Sequence, residues 1–515
     1  MTRKKNSHRT QIKQARIPLE GARMGRILDL LLFSALLAGF ALAQTAVVTR
    51  NVNLRPSPSN DRDPSAKLAP GTHIQLLQPG PTGGYYHVQT ADGKTGFVWG
   101  RNIRITTETT RSKAAQAIGP VEGAQEIPTP LLARGHPVTW WFVFKFNSSV
   151  FPGCGGGAAR TCPFGGEVQN YKAFSQRFIY ASSEVDTLQE GNDCAGDTTT
   201  DPIGATFEQV YDNSFHYVIW NDQFYDDPAI NGCTKSCGAP WGHSKGMVAW
   251  NDSGEGFVLQ VTTPSWPAAG SKQSPRKTDG NSLGCVKDND VQVSQDFFAL
   301  KLTKDDLVKV LTALRNASVV TDPKNPQVVN NGGPTDIQSL VAALGAKSNS
   351  RTYTQDTLSS GVELLSKPSH LNVPPWQMVS AILGGVPLRA ATWWANPMIY
   401  TTTSSTTIAC WDDSLPKPGP VEIATTGHWA GKQLGLTGGL GTNFNHAKVG
   451  VSTAGGAHYS IFGDMNQQGT ASGPNCASSQ NGRGGLFYVV NDAGLSESLT
   501  SLITGDTAPT EPPSR

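Results

Sequence analysis

The sequence predicts an α/β protein in which strands outnumber helices, arranged as two pseudo-repeated halves behind a small β-barrel. Three observations carry this. Of 515 residues, 55 are Gly and 34 are Pro, while only 16% are charged, a composition of turns and strands rather than of a helical bundle. Continuous apolar runs over residues 138–146 and 215–222 suit strands covered on both faces. The string Gly242-His243-Ser244-Lys245-Gly246 also has an echo in Asn445-His446-Ala447-Lys448-Val449-Gly450, and each leads into a strand-like stretch.

In chain order, residues 1–26 are basic, Ile27 to Phe40 is an apolar run, and Ala41-Leu42-Ala43 follows. This is the pattern of a secretory signal, expected over 1–43 and expected to be cleaved, because the run is shorter than the roughly 20 residues of a membrane span. The signal also governs the charge. The whole chain counts 42 Lys/Arg and 40 Asp/Glu. Residues 1–43 hold eight and two of these, so the remainder carries 34 against 38 and is net acidic. A surface for nucleic acid must then be a local patch.

Residues 46–106 alternate short strands with Gly, Pro and Asn turns: Asn51 to Ser57, Gly71 to Leu77, Tyr85 to Gln89 and Gly96 to Gly100. Such spacing predicts a small β-barrel. Residues 107–133 have no period and read as a linker. The main domain is expected over 134–505. It begins with the apolar run at Val138 and contains a hairpin closed by Gly256 to Val261. Its helices are few. Thr303-Lys304-Asp305-Asp306 opens one as a capping box. Asp336 to Leu344, Pro375 to Leu383 (Pro375 in the first turn) and 495–504 are the others. From Asp506 to Arg515 the chain is polar and reads as a disordered tail.

The eight cysteines, Cys154, Cys162, Cys194, Cys233, Cys237, Cys285, Cys410 and Cys476, all fall in the main domain. Behind a secretory signal an even count points to disulfides. Cys233 and Cys237 near His243 offer a metal reading, but no second ligand pair stands at zinc spacing.

The chemistry follows from the repeated string. Residues i and i+2 of a strand share a face, so His-x-Lys sets an imidazole beside an ammonium. Two such pairs brought together suit a phosphodiester: the lysines hold the anionic oxygens, one imidazole attacks phosphorus, and the other protonates the leaving oxygen. Gly463-Asp464-Met465-Asn466 supplies an anion cradle with Asn466, and Asn481-Gly482-Arg483-Gly484-Gly485 a guanidinium on a Gly-rich turn. Asp222 either orients an imidazole or caps a turn. His216, His428 and His458 lack such partners and read as structural residues or as supports behind the reacting groups. Trp140, Trp141, Trp220 and Trp250 could stack bases but sit in strands, where they read as core.

Together these stretches resemble a known family. Pro137 to Lys145, Trp220-Asn221-Asp222-Gln223, the two His-x-Lys strings, Pro264-Ser265-Trp266-Pro267, Gly463-Asp464-Met465-Asn466 and Arg483-Gly484-Gly485 occur in the order found in the deoxyribonuclease II family, and more distantly in the phospholipase D superfamily. Residues 46–106 resemble bacterial SH3-like domains. The resemblance implies a phospholipase D-like layered sheet-and-helix domain and a metal-independent, acid-active endonuclease on DNA. It implies a phosphohistidine intermediate and 3′-phosphate and 5′-hydroxyl ends. His243, Lys245, His446 and Lys448 would be catalytic, with Asn466, Arg483 and Ser265 on the substrate phosphate and Asp222 and Asp464 behind them. No cofactor or metal is implied. Ser265 stands where the family often has Asn, Val449-Gly450 where it often has Trp-Cys, and residues 317–370 match poorly. The expected partners are DNA and, through the SH3-like domain, cell wall. The site fits either a monomer with a pseudo-twofold axis or a homodimer, secreted or periplasmic. The alternatives are a cell-wall-associated module that binds nucleic acid without cutting it, and a phosphodiesterase on a lipid or another ester.

Overall fold

The computed structural model describes residues 45–48, 50–69, 72–78, 81–90, 93–106, 126–153, 164–165, 176–192, 194–196, 198–225, 227–233, 236–277, 281–283, 292–454 and 456–511. The signal segment, most of the linker and Cys154, Cys162 and Cys285 lie outside these. The chain is mixed α/β, mostly sheet, in two compact units, Met1–Gly123 and Ala124–Arg515. No helix of the described residues is long and apolar enough to cross a membrane.

The first unit is a five-stranded antiparallel sheet. Thr95–Trp99, Tyr85–Thr90, His73–Leu76, Thr45–Val48 and Ile103–Thr106 lie side by side in that order, and Val52–Leu54 pairs with Ala66–Leu68. Period-2 patterning places the core: Ile74 and Leu76 are buried while His73 and Gln75 are exposed, and Ala46, Val48, Leu54, Val88 and Val98 complete it.

The second unit is built on two large sheets. The first comprises β1 (Trp140–Lys145), β2 (Phe178–Ser182), β3 (Val185–Glu190), β4 (His216–Asn221), β5 (Lys245–Trp250), β6 (Gly256–Val261), β7 (Gln295–Leu302) and β8 (Val329–Asn330), in the order β3-β2-β1-β7-β6-β5-β4-β8. The second comprises β9 (Thr354–Thr357), β10 (Glu363–Lys367), β11 (Leu388–Ala391), β12 (Val421–Ile423), β13 (Val449–Ser452), β14 (Tyr459–Gly463) and β15 (Gly485–Asn491), in the order β9-β10-β15-β14-β13-β11-β12. Only β11 and β12 pair in parallel among these strands.

The sheets meet through aromatic side chains. Phe142 and Phe298 of the first stack on Phe462 of the second at 4.5 and 4.7 Å between ring centroids, and Tyr488 packs on Phe298. Alternation along each strand sends the neighbours of these residues to the outer faces. There Trp141 donates its indole N–H to Thr206 of α1 (Pro202–Tyr211) at 3.0 Å. Phe487 likewise meets Trp376 of α4 (Pro375–Ile382) edge-on. Both faces of each sheet are therefore covered, which is why their strands read as unbroken apolar runs.

The halves share one plan. Each carries a helix, a strand, a His-x-Lys strand followed by two more strands of the same sheet, and then a closing helix: α2 (Lys304–Asn316) after β7 and α5 (Ala493–Ile503) after β15; in the second half β12 and the hairpin Thr426–Trp429 and Lys432–Gly435 are inserted between β11 and β13. The capping box at Thr303 and Asp306 forms as its sequence requires. α3 (Thr335–Ala342), α4 and α5 lie within two residues of their expected spans. α1, capped by Asp201, was not expected.

Two boundaries differ from expectation. Residues 129–133 belong to the main domain: Thr129 exchanges hydrogen bonds with Gln209, and Leu131 N–H donates to Thr206. The start of the tail is also ordered, because Arg389 donates to Gly505 O, Asp506 O and Thr507 and so docks residues 505–511 beside β12. Residues 512–515 lie outside the described residues. Cys233 pairs with Cys237, which leaves no metal reading for them, and Cys410 with Cys476. Cys194 is also disulfide-bonded.

Candidate active site

His243 and Lys245 stand at the start of β5, His446 and Lys448 just before β13, and all four line one pocket of about 300 Å³. Each sheet contributes one pair, so the site lies where the halves meet. The two backbones are tied across this join: His243 N–H donates to Gly484 O and His446 N–H to Ser294 O, each at 2.8 Å. Gly484 has to be glycine, because a Cβ there would collide with the carbonyl oxygen of Ala317.

Hydrogen bonds set the imidazoles. His243 Nδ1 lies 2.5 Å from Asp464 O. A carbonyl can only accept, so Nδ1 carries the proton and the neutral ring keeps its lone pair on Nε2. His446 Nε2 is buried and has no protein partner among the described residues, and Trp393 meets the ring edge-on at 4.2 Å. Burial first, then Lys245, holds His243 well below the usual imidazole value. Burial first, then Lys448, does the same to His446.

The cations are fixed differently. Lys245 Nζ donates to Asp222 Oδ1 at 2.6 Å, and the other oxygen of Asp222 accepts from Arg483 Nη2 at 2.8 Å. Burial alone would push Asp222 up, but Lys245, His243 and Arg483 hold it well below the usual carboxylate range. Lys448 Nζ donates to His446 O, and its N–H donates to Asp296 Oδ1 at 2.7 Å. Burial pushes Lys448 down and Asp296 up. Burial also raises Asp464 to about 7, and its Oδ1 accepts from Leu486 N–H.

The remaining expected residues divide. Asn466 lines the pocket, its Nδ2 donating to Gln468 at 2.8 Å. Arg483 lines it too, but the guanidinium edge expected for phosphate is taken: Nε donates to Trp241 O, and Nη2 to Gly242 O as well as to Asp222. Ser265 is fully buried, donates to Gln223 O, and is not among the lining residues; its neighbour Pro264 is. Trp141, Trp220 and Trp250 are core. His216 pairs with Asp252, and His428 Nδ1 donates to Thr504 O. Trp393 and Asp296 escaped the sequence reading, since neither sits in a recognisable motif. Among the described residues no group of three or more His, Cys, Asp or Glu is placed to hold a metal ion.

The family model for deoxyribonuclease II matches residues 129–505. The chain belongs to the deoxyribonuclease II family. As a deoxyribonuclease II family member it is a hydrolase acting as a deoxyribonuclease, and the match begins at Thr129, which exchanges hydrogen bonds with Gln209 of α1. No curated protein matches the chain significantly.

Proposed function

We propose that this deoxyribonuclease is a metal-independent acid endonuclease that cuts DNA through a phosphohistidine, leaving 3′-phosphate and 5′-hydroxyl ends. The observation that carries the reading is the convergence of two imidazoles and two ammonium groups, one pair from each half, on a single pocket. His243 Nε2, neutral because Nδ1 carries the proton, attacks phosphorus. The P–O5′ bond breaks and His446 Nε2 gives its proton to the leaving oxygen. Neutral His446 then takes a proton from water, whose oxygen displaces His243 and releases the 3′-phosphate. Lys245 and Lys448 stabilise the charge on the non-bridging oxygens in both steps, and Asn466 lies within the same pocket.

We read the stacked sheets and their outer helices as a phospholipase D-like layout and the first unit as an SH3-like barrel that holds the protein on cell wall. Disulfides at Cys233–Cys237 and Cys410–Cys476 support a secreted or periplasmic location. The test is a plasmid-nicking assay in excess EDTA at about pH 5, below the usual imidazole value. Nicked product with 3′-phosphate ends is expected. Binding without cleavage would make the protein a nucleic-acid-binding module, and hydrolysis of lipid or another ester but not DNA would change the substrate.

A further inference from the structure

Two lysines outside the pocket occupy the same place in the two halves. Lys145 ends β1 and Lys367 ends β10; both are fully buried. β1 lies beside β7, with Lys145 paired to Gln295. β10 lies beside β15, with Lys367 paired to Gly485. Two residues before its partner, each lysine grips a carbonyl: Lys145 Nζ donates to Val293 O at 2.7 Å, and Lys367 Nζ to Arg483 O at 2.9 Å. Lys367 also holds Asn481 O at 2.7 Å. One residue before its partner lies the carbonyl that seats a histidine of the other half: Ser294 O for His446 and Gly484 O for His243.

A buried ammonium needs several acceptors to offset lost hydration, and a core needing only volume is better filled by an apolar side chain. Here both copies of the duplicated plan keep the lysine and use it on the same loop at the same offset. Reacting groups need to be held within a fraction of an ångström of their working geometry, and a backbone carbonyl in a loop is held that closely only if the loop is. Lys145 also lies near enough to His446 for its charge to help lower the imidazole.

We propose that Lys145 and Lys367 are a matched pair of positioning residues that act across the join, Lys145 setting His446 through Ser294 and Lys367 setting His243 through Gly484. Neither touches the pocket. Their kinetic effect rests on the nuclease reading, but their effect on the histidines does not.

The experiment is histidine-selective NMR of the full protein, following the imidazole signals of His243 and His446 through a pH titration, in Lys145→Met and Lys367→Met. Assignments come from His243→Gln and His446→Gln. Lys367→Met is expected to shift or broaden His243 and leave His446 in place, and Lys145→Met to do the reverse. In the nicking assay each variant should lose about 10²-fold in kcat with KM little changed, the scale of a small misplacement of a reacting group. Lys→Gln, which keeps a donor of shorter reach, should recover part of both losses, and it serves as the test where Met does not fold. The proposal is overturned by equal disturbance of both histidines, by disturbance of neither, or by failure of both substitutions to fold, which would assign the lysines to the core alone. Absence of nuclease activity in the unaltered protein would sink the kinetic arm and the proposed function, while the NMR pattern would still decide whether each lysine positions its histidine.

Discussion

Asp222 and Arg483 are 261 positions apart in the chain and form an ion pair of 2.8 Å across the join between the halves, while the second oxygen of the same carboxylate holds Lys245. One buried carboxylate thereby holds the Lys245 ammonium that lines the pocket and clamps the second half onto the first. Asp222→Asn retains the shape but takes away the charge that both cations require. It should lower kcat by about 10²-fold, the cost of disturbing a preorganised charge contact, with a smaller effect on KM. Asp222→Ala should destabilise the fold by about 3–5 kcal/mol, because it leaves buried cations unpaired. Steady-state kinetics and thermal unfolding check the two effects, and wild-type kcat in Asp222→Asn would remove Asp222 from the site.

His243→Ala and His446→Ala should each abolish cleavage while far-UV circular dichroism stays unchanged. Each half supplies one imidazole and neither has a spare. A variant retaining more than a few per cent of the wild-type rate would contradict the two-histidine mechanism.

The pH profile should be a bell with its maximum below about 6.5, the ordinary imidazole value. Both histidines are held below that value, so near neutrality both are uncharged and no acid is available. As pH falls, one imidazole takes a proton and the rate rises. Further acid protonates the nucleophile as well and the rate falls, so the limbs belong to the coupled pair. Lys448→Met removes the cation that most depresses His446 and should move the descending limb on the neutral side upward in pH. An alkaline optimum in EDTA would exclude the scheme.

Asp464 gives a stability test. Its folded-state value of about 7 lies above the ordinary carboxyl value of about 4, so between these limits the folded state holds a proton that the unfolded chain has released. Stability from this group is then full at acid pH and is lost as pH rises through that window, at up to about 1.4 kcal/mol per pH unit. Asp464→Asn keeps an acceptor for Leu486 N–H and does not titrate. Its stability advantage over wild type should grow from pH 5 to pH 7, read by denaturant unfolding. A constant difference would show that Asp464 does not titrate there.

The first unit should be dispensable for chemistry, but the cut has to respect the strand at Leu131–Ala133. A chain beginning at residue 124 should keep wild-type kcat on plasmid DNA. One beginning at residue 134 loses the partners of Thr206 and Gln209 and should unfold at lower temperature. Equal melting temperatures for the two would show those contacts to be idle.

How far the sequence disclosed this follows from particular residues. The His-x-Lys strings were legible as a repeated pattern directly ahead of an apolar strand, although only Lys245 lies within the strand itself, and the strands were legible because both faces of each sheet are buried. α1 was not, although Asp201-Pro202 is a cap followed by proline in the first turn. Its Gly204 and Thr206 are poor helix formers, and the helix forms because Ile203, Phe207 and Val210 are packed in the core. β10 lay in the stretch that matched the family poorly. Its Leu364-Leu365-Ser366-Lys367 repeats the pattern of Phe142-Val143-Phe144-Lys145 except for a buried serine in place of Phe144, a signal visible only once the duplication is taken strand by strand. No local pattern could have shown that Arg483 turns its edge to Asp222 and Gly242, since those partners lie in the other half.

The carbonyl that seats His243 and the guanidinium that holds Asp222 come from Gly484 and Arg483, near the end of a 515-residue chain. A fragment that stops short of residue 483 keeps His243 and Asp222 but has neither the carbonyl that seats the one nor the guanidinium that pairs with the other.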